Sequence, residues 1–314
     1  MKIVTGTTDF QMDMPSSVAI GKFDGIHVGH EALLRHVLEA KQEGLVAVIF
    51  TFSPSPYEFF SGETVPELMT TAEKRRAFEE AGVDVLWEFP MNKHTAATEP
   101  TDFIKKILVE SLQAKLIVAG DDLSFGNKGA GDAALLKRYA DRYGYEVKIV
   151  EKVCLLGKAV SSTYVRNEVR AGHMENAEIL LGKPYSFRGT VCRGKQLGRH
   201  IDMPTVNLIP EEGKLFPPFG VYYSRVRVGE AEYNGITNIG RKPTVNDTPA
   251  VGVETYLYDF SGDLYDREIE VQLLSYKRPE ERFESVVALK EQLARDRVDG
   301  SIYFGKKSGT DCKI

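Results

Sequence analysis

Two stretches of this 314-residue chain carry residue types at spacings that could do chemistry. The first, residues 21–30, reads GKFDGIHVGH. Gly21, Gly25 and Gly29 permit tight backbone turns and close approach of a ligand. His27 and His30 stand three apart, so a helix would bring both imidazoles to one face. The segment follows the apolar run Val18–Ile20 and precedes a helical pattern. A helix starting there offers unsatisfied N–H groups and a positive dipole end, which suit phosphate. Two imidazoles beside it could donate hydrogen bonds to phosphate oxygens as charge shifts in a transition state. The residues alone leave three readings open: phosphate binding, a structural pair, or a metal pair lacking an obvious third ligand.

The second stretch, residues 189–207, reads GTVCRGKQLGRHIDMPTVN. Gly194 and Gly198 form a glycine-rich loop whose backbone could wrap phosphates. It is not a P-loop, because GxxxxGK followed by Ser or Thr is absent. Thr205 and Asn207 are two apart, so in an extended chain their side chains share one face. Two neutral oxygen donors there could hold Mg²⁺ through a nucleotide phosphate. For PTVN by itself, a proline turn with local hydrogen bonds is the better reading. Glu254 lies in VETYLYDF and shares a strand face with Tyr256 and Tyr258. Alone it would be read as a solvated outer-face residue. A shorter motif, SSTYVR at 161–166, offers Ser161, Ser162 or Thr163 as a helix cap. Arg166, one turn further in, could reach a triphosphate as a planar donor or stand solvated.

These residues need elements to hold them. The first half alternates β-rich runs with amphipathic helices: strands at 45–52, 83–89, 116–119 and 145–150, and helices at 31–42, 72–81, 102–112 and 133–143. That alternation predicts a doubly wound parallel sheet. Helices are expected at 162–172 and 175–181. From about Lys183 the period changes to two, with strands at 220–228, 232–239, 251–260 and 268–276. Short strands at that spacing predict a small antiparallel barrel. A last helix is expected at 285–297, with a frayed polar tail after Phe304. The expected domains are 1–182 and 183–305, with a tail at 306–314. Trp87 is expected in the core, and Lys74, Arg75 and Arg76 on a solvated helix face. His36, His94, His173 and His200 show no partner pattern.

Composition narrows the class. Charged residues are 27% of the chain and the formal net charge is −5, which argues against a nucleic-acid partner. No apolar run is long enough for a membrane span, and the N-terminus lacks a signal-peptide core. Cys154, Cys192 and Cys312 are odd in number and widely spaced, so a reducing, cytoplasmic setting with inert thiols is expected.

In their order along the chain the motifs carry a resemblance. GKFDGIHVGH resembles the HxGH signature of nucleotidylyltransferases, in the form found in bacterial bifunctional riboflavin kinase/FAD synthetases. TFSPSP at 51–56, LMTTAEKRRAFEEAGVD at 68–84, GDDLSFG at 120–126 and SSTYVR follow in that family's order. So do the 189–207 string, NIGRKPT at 238–244, VETYLYDF at 253–260 and the stretch 278–296. The resemblance implies that His27 and His30 stabilise adenylyl transfer to an FMN phosphate. It implies nucleotide or flavin contacts from Gly21, Phe23, Asp24, Gly25, Gly29, Asp122, Ser162, Thr163 and Arg166, and in the second module from Gly194, Gly198 and Arg199. It implies that Thr205 and Asn207 hold Mg²⁺ and that Glu254 is the base for the riboflavin hydroxyl. ATP, riboflavin and FMN would be the substrates. The chain departs from the pattern at Ser55, Leu123, Asn127 and Tyr256. Two other readings follow: a kinase with a silent or altered adenylyltransferase domain, or a flavin-binding regulator without turnover.

Overall fold

The computed structural model describes residues 1–193, 205–243 and 249–310. The chain divides into two compact units, Met1–Ser162 and Thr163–Ile314. Among the described residues no helix is long and apolar enough to cross a membrane.

The first unit is built on strands β1 (Lys2–Thr5), β2 (Ser16–Ile20), β3 (Val46–Ser53), β4 (Val85–Pro90), β5 (Ala114–Gly120) and β6 (Glu146–Val150). They form one sheet in the order β1-β4-β3-β2-β5-β6, and every pairing is parallel. Alternate residues point to opposite faces, and both faces are covered. Val18, Ile20, Val48, Phe50, Trp87 and Ile117 pack on one side with Phe103, Ile104 and Leu108. Ala19, Ile49, Leu86 and Val118 pack on the other with Leu33, Leu34, Val37 and Phe78. The latter group comes largely from α1 (Val28–Glu39) and α2 (Thr71–Glu80). On the Trp87 side lies α3 (Ala133–Tyr143), which contributes Leu136. This double burial is why β3 reads as an unbroken apolar run, and it confirms the doubly wound class.

Two local details differ from expectation. The 102–112 helix begins as one α-turn at Pro100–Asp102, then widens over Phe103–Ser111 into i→i+5 turns, as in Leu112 N–H to the Ile107 carbonyl at 2.9 Å. Lys74 and Arg75 are not simply solvated. Lys74 pairs with Glu67 at 2.7 Å, and the Arg75 guanidinium forks onto the buried Glu88, with Nε 2.9 Å from Oε1.

The second unit opens with α4 (Ser162–Ala171), whose first residue is the last of unit one, and α5 (Met174–Leu181). Six strands follow among the described residues: β7 (Tyr185–Thr190), β8 (Thr205–Leu208), β9 (Gly220–Val228), β10 (Ala231–Pro243), β11 (Pro249–Leu257) and β12 (Glu268–Pro279). They form an antiparallel sheet in the order β7-β12-β9-β10-β11-β8. The chain leaving β7 meets the opposite edge strand, where the Cys192 N–H donates to the Asn207 carbonyl at 2.9 Å. The sheet therefore curls on itself, as the barrel expectation requires. Its inner face carries fully buried Phe187, Val226, Ile239, Val253 and Leu273. Three buried hydroxyls there satisfy one another: Thr237 Oγ1 donates to Ser224 Oγ at 2.7 Å and lies 2.8 Å from Thr255 Oγ1.

The terminal helix α6 spans Val286–Thr310, far beyond the expected stop at Arg297 and into the segment after Phe304 that is expected to fray. Gly300 looks like a helix terminator in the sequence, but it is a contact residue. A Cβ there would lie 2.2 Å from the Tyr258 hydroxyl. Beyond it, Tyr303 stacks on Tyr223 at 4.2 Å and Phe304 is 8% exposed. Those contacts hold the helix past its polar composition.

Candidate active sites

In the first unit the site lies where β2 runs out of the sheet and α1 begins. The turn between them is built from left-handed residues: Phe23 at φ 51°, Gly25 at 88° and Ile26 at 39°. For residues with side chains this backbone costs of order 1–3 kcal/mol each. The buried rings and chains of Phe23 and Ile26 hold it in place. Phe23 meets Phe78 edge-on at 5.4 Å and His30 at 5.1 Å. Gly21 is required because a Cβ there would come within 3.0 Å of the Phe23 ring.

This turn delivers His27 to the N-cap of α1, whose first residue, Val28, comes three before the helix start expected from sequence. Its Nδ1 accepts the His30 N–H at 3.3 Å, so in the neutral ring the proton is on Nε2. The His27 and His30 rings stack at 3.8 Å with 13° between planes. Gly29 keeps them so, since a Cβ there would sit 3.2 Å from the His27 ring. Burial pushes His27 down to about 4, partly offset by its backbone hydrogen bond and by the charge of Asp122. Burial, then proximity to His27, holds His30 well below the ordinary imidazole value. Both rings are neutral donors at pH 7. His30 Nδ1 is buried without a hydrogen-bond partner among the described residues.

The remaining first-unit candidates divide by task. Asp24 Oδ1 accepts the Leu68 N–H at 2.9 Å, and its carbonyl accepts the Ser162 hydroxyl at 2.8 Å. Asp24 and Ser162 thus tie together the 21–30 turn, the 68–69 segment and the start of SSTYVR. Asp122 is exposed, 3.1 Å from Lys152. Thr163, exposed, and Arg166, half-buried, lie on α4 in the second unit. The departures from the family pattern have local roles. Ser55 caps the Pro56–Ser61 helix in a capping box with Glu58. Leu123 packs against the core, and Asn127 donates to Glu99 at 3.3 Å. Tyr57 and Phe60, in the aromatic run that follows TFSPSP on the same short helix, are 53% and 69% exposed just beyond the C-terminal end of β3.

In the second unit, β8 and β11 pair so that Thr205 faces Tyr256 and Asn207 faces Glu254. The Thr205 hydroxyl donates to Glu254 Oε1 at 2.6 Å. Asn207 is 8% exposed and Glu254 half-buried. Residues 49 apart in sequence therefore form one cluster of oxygen donors, with the composition Mg²⁺ prefers. Gly194, Gly198 and Arg199 lie outside the described residues, as do His200 and Cys312. Tyr256 meets Tyr258 edge-on at 5.3 Å, and the Tyr258 hydroxyl donates to the Arg297 carbonyl of α6 at 2.6 Å. The outer face of β11 is thus partly covered by the helix.

Residues 9–164 match the family model for FAD synthetase, and residues 181–304 match that for riboflavin kinase. Two transferase modules are joined in one chain. The chain belongs to the family of bifunctional riboflavin kinase/FMN adenylyltransferases. It is 35% identical over 303 residues to such a protein from Listeria monocytogenes, covering 96% of each chain. It is 37% identical over 291 residues to one from Escherichia coli, covering 92% of each. A solved structure described as a macrolide-efflux protein from Streptococcus pneumoniae shares the fold, with a TM-score of 0.81 and 30% identity over 94% of this chain and 96% of that one.

Proposed function

We propose that this protein phosphorylates riboflavin to FMN with ATP, then adenylylates FMN to FAD with release of pyrophosphate. The first step is assigned to residues 183–305 and the second to residues 1–182, with 306–314 as a tail. The protein works in the cytoplasm on small molecules.

The observation that carries the kinase assignment is the pairing of Thr205 and Asn207 with Glu254 across β8 and β11. A primary hydroxyl is a weak nucleophile at neutral pH, and a positioned carboxylate corrects that. Glu254 takes the 5′-hydroxyl proton as that oxygen bonds to the γ-phosphorus and ADP leaves. Thr205 and Asn207 would hold Mg²⁺, which when bound neutralises phosphate charge. The Thr205 hydrogen bond orients the carboxylate. Gly194, Gly198 and Arg199 are proposed to cover the nucleotide.

In the first unit the FMN phosphate oxygen bonds to the α-phosphorus of ATP while the bond to the β-phosphate bridging oxygen breaks. What supports this reading is the stacked imidazole pair at the start of α1. The His27 Nε2–H is a donor for phosphate oxygens, beside a helix end that favours negative charge. His30 stacks on it and closes the site. Ser162, Thr163 and Arg166 are proposed to bind the nucleotide, with Asp24 as a joint between segments.

The test is to incubate pure protein with riboflavin, ATP and Mg²⁺ and to separate the flavins over time. FMN rising before FAD is expected. FMN accumulating alone would leave a kinase with a silent transferase module, and no turnover at all would leave a flavin-binding protein. Omitting Mg²⁺ should stop both steps.

A further inference from the structure

We infer that Asn238 is a positioning residue of the kinase site, holding a hydroxyl of the substrate's polyol chain so that the neighbouring hydroxyl faces Glu254. The inference rests on the reading of Glu254 as the base. Glu254 sits on a central strand and has two cross-strand neighbours. On β8 it is Asn207; on β10 it is Asn238. Residues directly opposite on antiparallel strands share a face, with Cβ atoms roughly 5 Å apart. Three polar side chains therefore run in one row across the sheet, Asn207, Glu254 and Asn238.

Among the described residues nothing else explains the amide at 238. Asparagine is disfavoured inside strands. Its neighbour on the other side, across β9, is the buried Val221. The residues that flank it in β10 on the same face are Ile236 and Gly240, neither of which offers a side-chain polar atom. No side-chain hydrogen bond of Asn238 is present among the described residues. Glu254 is thus the one polar side chain directly across the sheet from it.

The chemistry is complementary. An ionised carboxylate only accepts, while an amide has two N–H donors and a carbonyl acceptor. A hydroxyl both donates and accepts. Asn238 can therefore engage a hydroxyl of a polyol chain in either sense while Glu254 receives the proton of the next. One step further along this face Gly240 pairs with Gly252, leaving backbone in place of side chains. The Glu280 carboxylate lies over Gly240 and bounds the row on that side. On the opposite side Ile236 is covered by α6, where a Cβ at Gly300 would come within 3.1 Å of it. The row of Asn207, Glu254 and Asn238 lies between these two limits.

The test compares Asn238→Leu, which keeps volume without hydrogen bonding, with Asn238→Ser, which keeps a shorter donor and acceptor. FMN formation is measured at varied riboflavin and at varied ATP, alongside thermal melting and Glu254→Gln. Asn238→Leu should lower kcat/KM for riboflavin about tenfold, the worth of one hydrogen bond in a site. KM for ATP should stay within twofold and melting should be unchanged. Asn238→Ser should recover part of the loss. Wild-type kcat/KM in Asn238→Leu, or equal loss for both flavin and ATP, overturns the inference. Should the leucine variant melt early, a serine variant with wild-type melting and no loss would overturn it equally. If Glu254→Gln still makes FMN at the wild-type rate, it is the base assignment that fails. If Glu254→Gln is inactive while Asn238→Leu is normal, the role of Asn238 alone is wrong.

Discussion

The neutral, buried state of His27 has a consequence for stability that can be worked out. The ring titrates at 6.5 when unfolded and at about 4 when folded. Between those values the unfolded chain binds a proton that the folded one does not. Stability is therefore full above about pH 6.5, declines as the pH falls toward 4, and levels off below. The whole interval corresponds to about 3 kcal/mol, and at pH 5 the loss from this one group is about 2 kcal/mol. His27 is 7% exposed, so solvent screening takes little from that figure. The perturbation is His27→Asn, since asparagine is a good N-cap and can accept the same backbone N–H. Removing His27 also lifts its charge from the stacked His30, so the difference between the two proteins reports the imidazole pair with His27 as its larger part. Trp87, the one tryptophan of the chain, is fully buried in the first unit, so its fluorescence follows unfolding of that unit. Urea melts at pH 7.5 and pH 5 should show the wild type losing about 2 kcal/mol more than the variant, a midpoint difference of about 1 M. Parallel losses in the two proteins would refute the claim that the imidazole is held neutral by burial.

Three further outcomes are expected. Glu254→Gln should abolish FMN formation from riboflavin and leave FMN-to-FAD conversion intact, while His30→Ala should do the reverse; flavin chromatography of each variant decides. Gly29→Ala suits a helix but puts a methyl 3.2 Å from the His27 ring, so adenylylation should fall about tenfold or more with no loss of first-unit stability in the Trp87 melt. Gly300→Ala also suits a helix in isolation, yet its methyl would overlap the Tyr258 hydroxyl. It should lower the melting transition of the second unit, at a cost of about 1–3 kcal/mol, where an open helix position would gain.

The strands and helices of the first unit were legible because each has enough periodic residues to declare itself. Ala133–Tyr143 is seen in the sequence with the bounds it has in the structure, and β3 is displaced by one residue. Strand β1 carries no such pattern, being four residues of an edge strand with one buried side chain. The helical pattern of α1 declares itself only from about 31, and histidine is not among the favoured caps. Only the folded turn shows the imidazole taking that role. The reach of α6 is hidden from the sequence for a related reason. Gly300 is a local signal to stop, and it is outweighed by Tyr303 and Phe304 packing on Tyr223.

By itself the sequence determined the two fold classes, the change of period near residue 183, and the motifs in their order. These are carried by local residue type and spacing, which a chain displays whether or not it is folded. What the tertiary structure alone decided is adjacency. It pairs β8 with β11 and β10 with β11, so that Thr205, Asn207, Asn238 and Glu254 share one face. It also supplies the burial that holds two stacked imidazoles neutral. Strand register and desolvation depend on which distant segments meet, and spacing along one chain does not encode that directly.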